Sequence, residues 1–396
     1  MKKTLKYIFH IDHLLITILT FVLIGVGYAA VMSFPFFDPL KQAMSDMSMT
    51  DYFFSLADKN SDLNQDITVV DIKDEAGRGK IAQVIATVDS LEPWAIGVDI
   101  TFKGIKGTAA ENEALIEAAL KAGDKAVWAT QLVDYDFEKK TFAQRRSSFF
   151  AEDLGVKEGF SNLDDVDYSH KTIRKMFTAV DGNQGKLASL PVAIAQTVDS
   201  SNVKPNDKLT IDYKTKFVVL PIDSIPTHEE LIKNHIVLIG STTDEGDMWK
   251  TPLGKMPGVV LQAYSVYTVR NHSHIHYASY LVNLLIAFVL CYLFEVLVDV
   301  QNRWLSRKKS AWAVFLSRSY LLLRIVTIVF MALVTWGTLS LFIHHSTYVD
   351  AILILLVLGV LSEARNIYIG AISALSKNHN RWILKNSLFN FNNNKK

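Results

Sequence analysis

A chain of 396 residues that is 49% hydrophobic, with a mean hydropathy of +0.18, is too apolar for an ordinary soluble enzyme. With 20% of its residues charged it cannot lie wholly in lipid either, and a net charge of +1 gives no sign of the clustered basic face that nucleic acid requires. The single cysteine, Cys291, excludes an internal disulfide and a cysteine-based zinc site.

In chain order, four stretches approach the roughly 20 apolar residues that a membrane-crossing helix needs. The chain therefore divides into an N-terminus (1–13), a span (14–34), a large outer segment (35–279), a span (280–300), a loop (301–319), a span (320–343), a short outer loop (344–347), a span (348–367) and a tail (368–396). Lys2, Lys3 and Lys6 precede the first span, Arg303, Arg307, Lys308, Lys309 and Arg318 fill the loop, and Lys377, Arg381, Lys385, Lys395 and Lys396 fill the tail. Residues 344–350 hold no Lys or Arg. The excess of positive charge on the cytoplasmic side predicts an inner (cytoplasmic) membrane protein with both termini cytoplasmic and the large segment periplasmic or extracellular. Trp304 and Trp312 stand where interfacial aromatics belong. A cleavable signal peptide ending near Tyr28-Ala-Ala30 is the alternative for the first span. The apolar run exceeds the roughly 7–15 residues of a signal core, which favours an uncleaved anchor. Glu295, Arg324, Glu363 and Arg365 fall near the cytoplasmic ends of their spans, where snorkelling costs little; a buried Glu–Arg pair that transmits movement is the alternative. No ionisable residue falls at mid-span, which argues against an ion-coupled transporter.

The outer segment alternates strand and helix. Residues 36–63 read as a helical connector on Leu40, Ala43, Met44, Met47 and Phe54. Ile67-Thr-Val-Val-Asp-Ile72, Ala95-Ile-Gly-Val-Asp-Ile100 and Lys125-Ala-Val-Trp-Ala-Thr130 read as buried strands, separated by helices over 80–91 and 112–122. This order predicts parallel pairing with right-handed crossovers. Residues 134–146 read as a loop or hairpin. Residues 158–162 and 172–177 read as two strands flanking a polar turn, with a matching hairpin, and residues 209–213 and 217–220 as a hairpin or edge pair. A helix over 187–198, a strand over 235–240 and a last helix over 259–269 complete the segment, and His272, His274 and His276 lead into the second span. The expected fold is α/β, a largely parallel sheet flanked by helices with its core in 67–277, plus four transmembrane helices, one before and three after.

The order of these motifs resembles the second class of CHASE sensory domains. The matching residues are Val69-Val-Asp-Ile72, Ile96-Gly-Val-Asp-Ile100 with Phe102, Gly159-Phe-Ser-Asn162, Ile173-Arg174, Leu190-Pro191 and Ile211-Asp-Tyr213. The most specific block is Ile236-Val-Leu-Ile-Gly-Ser241, Asp247 and Thr251-Pro-Leu-Gly-Lys-Met-Pro-Gly258. The resemblance covers 67–277 and extends to one span before and three after. It implies a sensor. Members of that family fuse the module to a cytoplasmic cyclase, kinase or similar output domain; here about thirty residues follow the last span, too few for one.

Asp71 and Asp99 end two strands that look adjacent, at the edge where open α/β sheets bind ligands; helix capping is the plainer role. Gly240-Ser-Thr-Thr-Asp-Glu-Gly-Asp247 could offer backbone N–H groups to an anion but lacks the Gly-Lys-Ser/Thr ending of a phosphate loop. A structural loop tied by Asp247 to Thr251-Pro252 is the plainer alternative. Asp71, Asp99, Ser241, Asp247 and Thr251 are the candidate ligand-binding residues. Asp164, Asp165 and Asp167 lack the glycine and the bidentate Glu of a calcium loop. The three histidines could share a strand face and hold zinc or copper or respond to pH, or could simply form a linker. Ser241 and Ser265 have no Gly-x-Ser-x-Gly elbow around them. No catalytic residue, cofactor or bound metal is assigned, and the chain reads as a non-enzyme. The favoured function is a membrane-bound sensor that passes an unknown stimulus through its helices to a separate signalling or envelope protein, with membrane lipid and a homo-oligomeric copy as further partners and no nucleic acid. The alternative is a non-catalytic envelope scaffold or assembly subunit; an extracytoplasmic enzyme comes third.

Overall fold

A computed structural model describes residues 7–33, 48–59, 61–73, 76–136, 141–162, 172–182, 185–199, 208–308, 310, 312, 315, 321–376 and 387–389. Leu40, Ala43, Met44 and Met47 of the expected connector, and the aspartates 164, 165 and 167, lie outside them. The chain forms two compact units, Thr50–His276 and Met1–Met49 with Tyr277–Lys396.

The first unit is built on parallel strands. β1 (Leu63–Asp71), β2 (Ala95–Val98), β3 (Ala126–Asp136), β4 (Thr141–Arg146) and β5 (Glu158–Phe160) come first, then β6 (Lys175–Phe177), β7 (Ala179–Gly182), β8 (Gly185–Ala188), β9 (Lys208–Thr210), β10 (Lys216–Pro221) and β11 (Ile236–Gly240). The main sheet runs β10-β1-β11-β2-β3-β4-β7-β8, with β5 also on β3. Every pair from β10 to β3 is parallel, as is β3 with β5. Two helical layers explain why the strands read as continuous apolar runs. Val70, Ile96, Val98, Val237 and Ile239 face one core, together with Ile85 and Leu115 from two helices. Ile67, Val69, Val127 and Leu238 face the other, with Ile194 and Val266.

The helices of this unit are α2 (Met49–Asp58), α3 (Arg78–Ser90), α4 (Ala109–Ala122), α5 (Leu190–Val198) and α6 (Gly258–Arg270), following α1 (Ile11–Ser33) of the second unit. α4 starts three residues before the sequence-based boundary because Thr108 and Glu111 form a capping box. α2 is held by a two-bond ion pair from Arg174 to Asp51 (2.8 and 2.6 Å) and by Phe54 against Tyr213.

One open strand reading is settled and two others change. Residues 134–146 are a true hairpin, since β3 continues to Asp136 and pairs antiparallel with β4. Residues 158–162 and 172–177 do not form a matching hairpin: β5 joins β3, while β6 pairs with β9. Gly159 lets the start of α5 lie against β5, because a Cβ there would be 2.6 Å from the Leu190 Cα. Nor do 209–213 and 217–220 pair. β10 adds to the edge of β1, where Leu220 enters one core and Phe217 packs on the other, burying more apolar surface than a detached hairpin would.

The second unit contains α1, α7 (Tyr280–Ser306), α8 (Leu321–His345) and α9 (Ala351–Ser376), four helices long and apolar enough to cross a membrane. Ile16, Cys291, Phe294, Ile354, Val357 and Leu358 form its apolar core. At one end Asn283 Oδ1 accepts the Asp350 N–H (3.0 Å). At the other, a polar cluster joins the start of α1 to α7 and α9. Arg365 donates to Glu295 and to Asp299 (2.7 Å for the latter), and Arg303 also reaches Asp299 (2.9 Å). Tyr7 donates to Asp299, and His13 Nδ1 stands 3.5 Å from Glu295. Asp12 accepts from Tyr368 (2.7 Å), Ser387 (3.0 Å) and the Leu388 N–H (2.5 Å). The start of α1 and residues 387–389 thus meet at the same end of the bundle. The expected snorkelling fails for Glu295 and Arg365, which are buried and paired, because each supplies the countercharge that the other would otherwise seek in water; Arg324 and Glu363 do point outward.

Removing one charge from such a set leaves the rest uncompensated, at a cost of about 3–5 kcal/mol. Arg365→Met should therefore lower the melting temperature of the detergent-solubilised chain strongly. Arg365→Met with Glu295→Leu should recover part of that loss. A double variant no more stable than the single one would show that the pairing does not hold the bundle.

Candidate functional site

The parallel strands β1, β11 and β2 end at one edge of the sheet, where the loops that follow them begin. Asp71 and Asp99 are not on adjacent strands as the sequence suggested, since β11 runs between β1 and β2. The Ile72 N–H donates to the Gly240 carbonyl (3.1 Å) and the Asp99 N–H to that of Ile239 (2.9 Å), so the two aspartates flank the end of β11. Gly240 is required there, because a Cβ would collide with Val259 at 2.8 Å and approach the Asp99 Cβ.

Over this edge lies a cavity of about 670 Å³. Asp99, Ser241 and Asp247 line it. Asp71 and Thr251 do not. The Asp71 carboxylate, 8% exposed, accepts the N–H groups of Lys73 (3.1 Å) and Thr242 (2.9 Å), tying two loops together. The hydroxyl of Thr251 donates to the Gly254 carbonyl (2.8 Å) and accepts the Leu253 N–H (3.2 Å), closing the turn between β12 (Met248–Thr251) and β13 (Gly254–Pro257). The loop before β12 is ordered by its own side chains. Ser241 Oγ accepts the N–H groups of Thr243 and Asp244 (both 3.2 Å), and Asp244 accepts that of Gly246 (2.8 Å). Asp247 is not bound to Thr251. It accepts the Trp249 indole N–H (2.8 Å) and the Gly258 N–H at the start of α6, where a Cβ would strike the carboxylate.

Sequence reasoning missed the other wall. Asn162 clamps Leu132 through both amide atoms, accepting its N–H (2.8 Å) and donating to its carbonyl (2.9 Å). Gln262, one turn into α6, donates to the Ser161 carbonyl (3.0 Å). Ser161 and Asn162 belong to a motif already singled out, but nothing in the spacing ties them to Gln262; that link needs the crossing of β5 and α6.

A model of the CHASE2 domain matches residues 19–296, well over half of the chain. The chain belongs to the CHASE2 domain family. No curated protein and no solved structure gives a match. CHASE2 domains are sensory modules, and with its four apolar helices this chain is a multi-pass membrane protein of that class.

The electrostatics of the CHASE2 cavity are uneven. Burial, and then the charge of Asp247, push the Asp99 carboxyl from an ordinary 3.8 up to about 7. Burial also raises Asp247, opposed by its bonds from Trp249 and Gly258. No described group donates a hydrogen bond to the Asp99 carboxylate. Metal is a poor fit: among the described residues no three His, Cys, Asp or Glu converge, and that includes His272, His274 and His276. Ser265 is buried within α6, donating to the Leu261 carbonyl (2.9 Å), and has no place in a hydrolytic site.

Because the folded Asp99 binds its proton near pH 7 and the unfolded chain only near 4, the native state holds the extra proton between those values. Its contribution to stability should rise as the pH is lowered from about 8 to about 5. Asp99→Asn should remove that component, read as a flatter pH dependence of the unfolding midpoint in urea. Equal slopes in the two proteins would refute the assignment.

Proposed function

We propose that this CHASE2 protein is a sensor of the inner (cytoplasmic) membrane, with both termini cytoplasmic and the α/β unit outside. A small-molecule stimulus enters the cavity at the carboxyl edge of the sheet, and the helices pass its effect to a separate protein. The observation that carries this reading is the cavity itself: it lies at the ligand-binding edge of an open parallel sheet, and Asp99 faces it with no hydrogen-bond donor among the described residues. Its volume is within the usual range for small-ligand sites. The orientation rests on the basic residues around α1, α7 and the tail. Transmission requires that the stimulus bind two arrangements of the protein with different affinity. The Arg365 cluster supplies an element in which discrete polar contacts join α7 to α9 and to the start of α1. We assign the chain no turnover.

In a Cys291→Ser background, a membrane-impermeant maleimide applied to cells with only the outer envelope permeabilised should label Glu117→Cys and leave Lys308→Cys unlabelled until lysis. The reverse pattern would invert the orientation.

Purification after mild detergent extraction should recover a signalling partner in stoichiometric amount, and Gln131→Trp, which fills the cavity, should change its yield. An envelope component held equally by both proteins would replace the sensor with a scaffold.

A further inference from the structure

The polar groups of the cavity are unbalanced in kind. Three aspartates line it, Asp99, Asp244 and Asp247. Asp244 and Asp247 are occupied in part by N–H groups of their own loop and of α6, while Asp99 is not. A fourth acceptor is left over from outside the acidic loop. Gln262 is only 3% exposed and lines the cavity. Its amide nitrogen must face the Ser161 carbonyl, an acceptor, which fixes the amide's orientation. The Oε1 then has no partner among the described residues. A buried acceptor left unbonded is costly, and the missing partner is a donor.

Among the described lining residues the one cation is Lys73, an exposed residue. The start of α6 does not offer an anion site, because Asp247 already takes the Gly258 N–H. Ile72, Ile100 and Leu132 supply apolar surface, beside the neutral polar residues Thr101, Gln131, Ser161 and Asn162. A divalent cation is disfavoured by the absence of three converging ligands among the described residues. A ligand that satisfies this cavity therefore carries positive charge, several N–H donors and an apolar body.

We propose that the CHASE2 cavity binds a small organic cation, an alkyl or aryl ammonium whose head meets Asp99 and Asp247 and whose body lies against Ile72, Ile100 and Leu132. The assignment rests on the proposal that this cavity is the stimulus site. An ammonium group offers three donors, enough for Asp99 and one neighbouring acceptor together. Its charge compensates the acidic wall, which a neutral isostere cannot do.

The test uses the full chain in lipid nanodiscs and three probes of similar shape: phenethylamine, 2-phenylethanol and 3-phenylpropionate. The melting temperature reports binding to the native state, and the alcohol controls for partition into lipid. Phenethylamine should raise it by a few degrees at saturation, with no rise from the other two. Asp99→Asn should weaken the amine tenfold or more, and Gln131→Trp should abolish its effect; unliganded melting curves confirm that each variant is folded. A rise with the alcohol or the carboxylate equal to that with the amine overturns the cation and leaves the sensor reading standing. So does an amine effect unchanged in both variants. No rise with any probe also overturns the cation, and the sensor reading is then judged separately by whether Gln131→Trp changes partner recovery.

Discussion

The structure depends on the insertion of β11 between β1 and β2. Its five residues are all buried, all five paired with β1 and four with β2, and its alternating side chains feed both helical layers. Everything at the site follows from where it stops. Gly240 ends the strand close to Val259 of α6, Asp71 and Asp99 are held on either side, and the acidic loop begins at once with Ser241. Had β1 and β2 paired directly, the two aspartates would have been neighbours and the loop would have had no place over the edge.

Buried carboxylates are answered by cations in both units, as Glu158 is by Arg145 and Asp89 by Lys125, and Asp99 stands apart from that pattern. In the helical unit, Arg365 answers Glu295 and Asp299, with Arg303 and Tyr7 closing the set. Such a cluster fixes which helix faces meet, whatever its net contribution to stability. Among the described residues of the α/β unit, none gives Asp99 such an answer, and burial raises its carboxyl to about 7 instead.

Much of the fold was legible because burial on both faces leaves a coarse mark. The strands around Val69, Gly97 and Leu238, the helix ended by Gly123 and the four apolar spans need no long-range information. Pairing does need it. Residues 158–162 and 172–177 have similar local patterns, yet one joins β3 and the other β9, a choice made by partners far away in the sequence. At the site, Asp99 and Asp247 were legible as carboxylates after strands or in a polar loop. Asp71 and Thr251 looked equivalent to them, but their side chains are consumed by backbone groups that only the folded loops bring near. Gln262 was illegible: it occupies an ordinary position on an apolar helix, and its significance comes from Ser161, a residue distant in sequence.

The position of β11 also governs assembly in time. β1 and β2 leave the ribosome long before the strand that joins them, separated from it by the α5 and β10 segments. Until β11 arrives, each presents an open edge of unpaired backbone groups, the form of strand most prone to pairing with another chain. Contacts so far apart in sequence are slow to form. The nascent chain therefore passes through a period in which its central strands are made but cannot close, and any truncation before Gly240 leaves it there permanently.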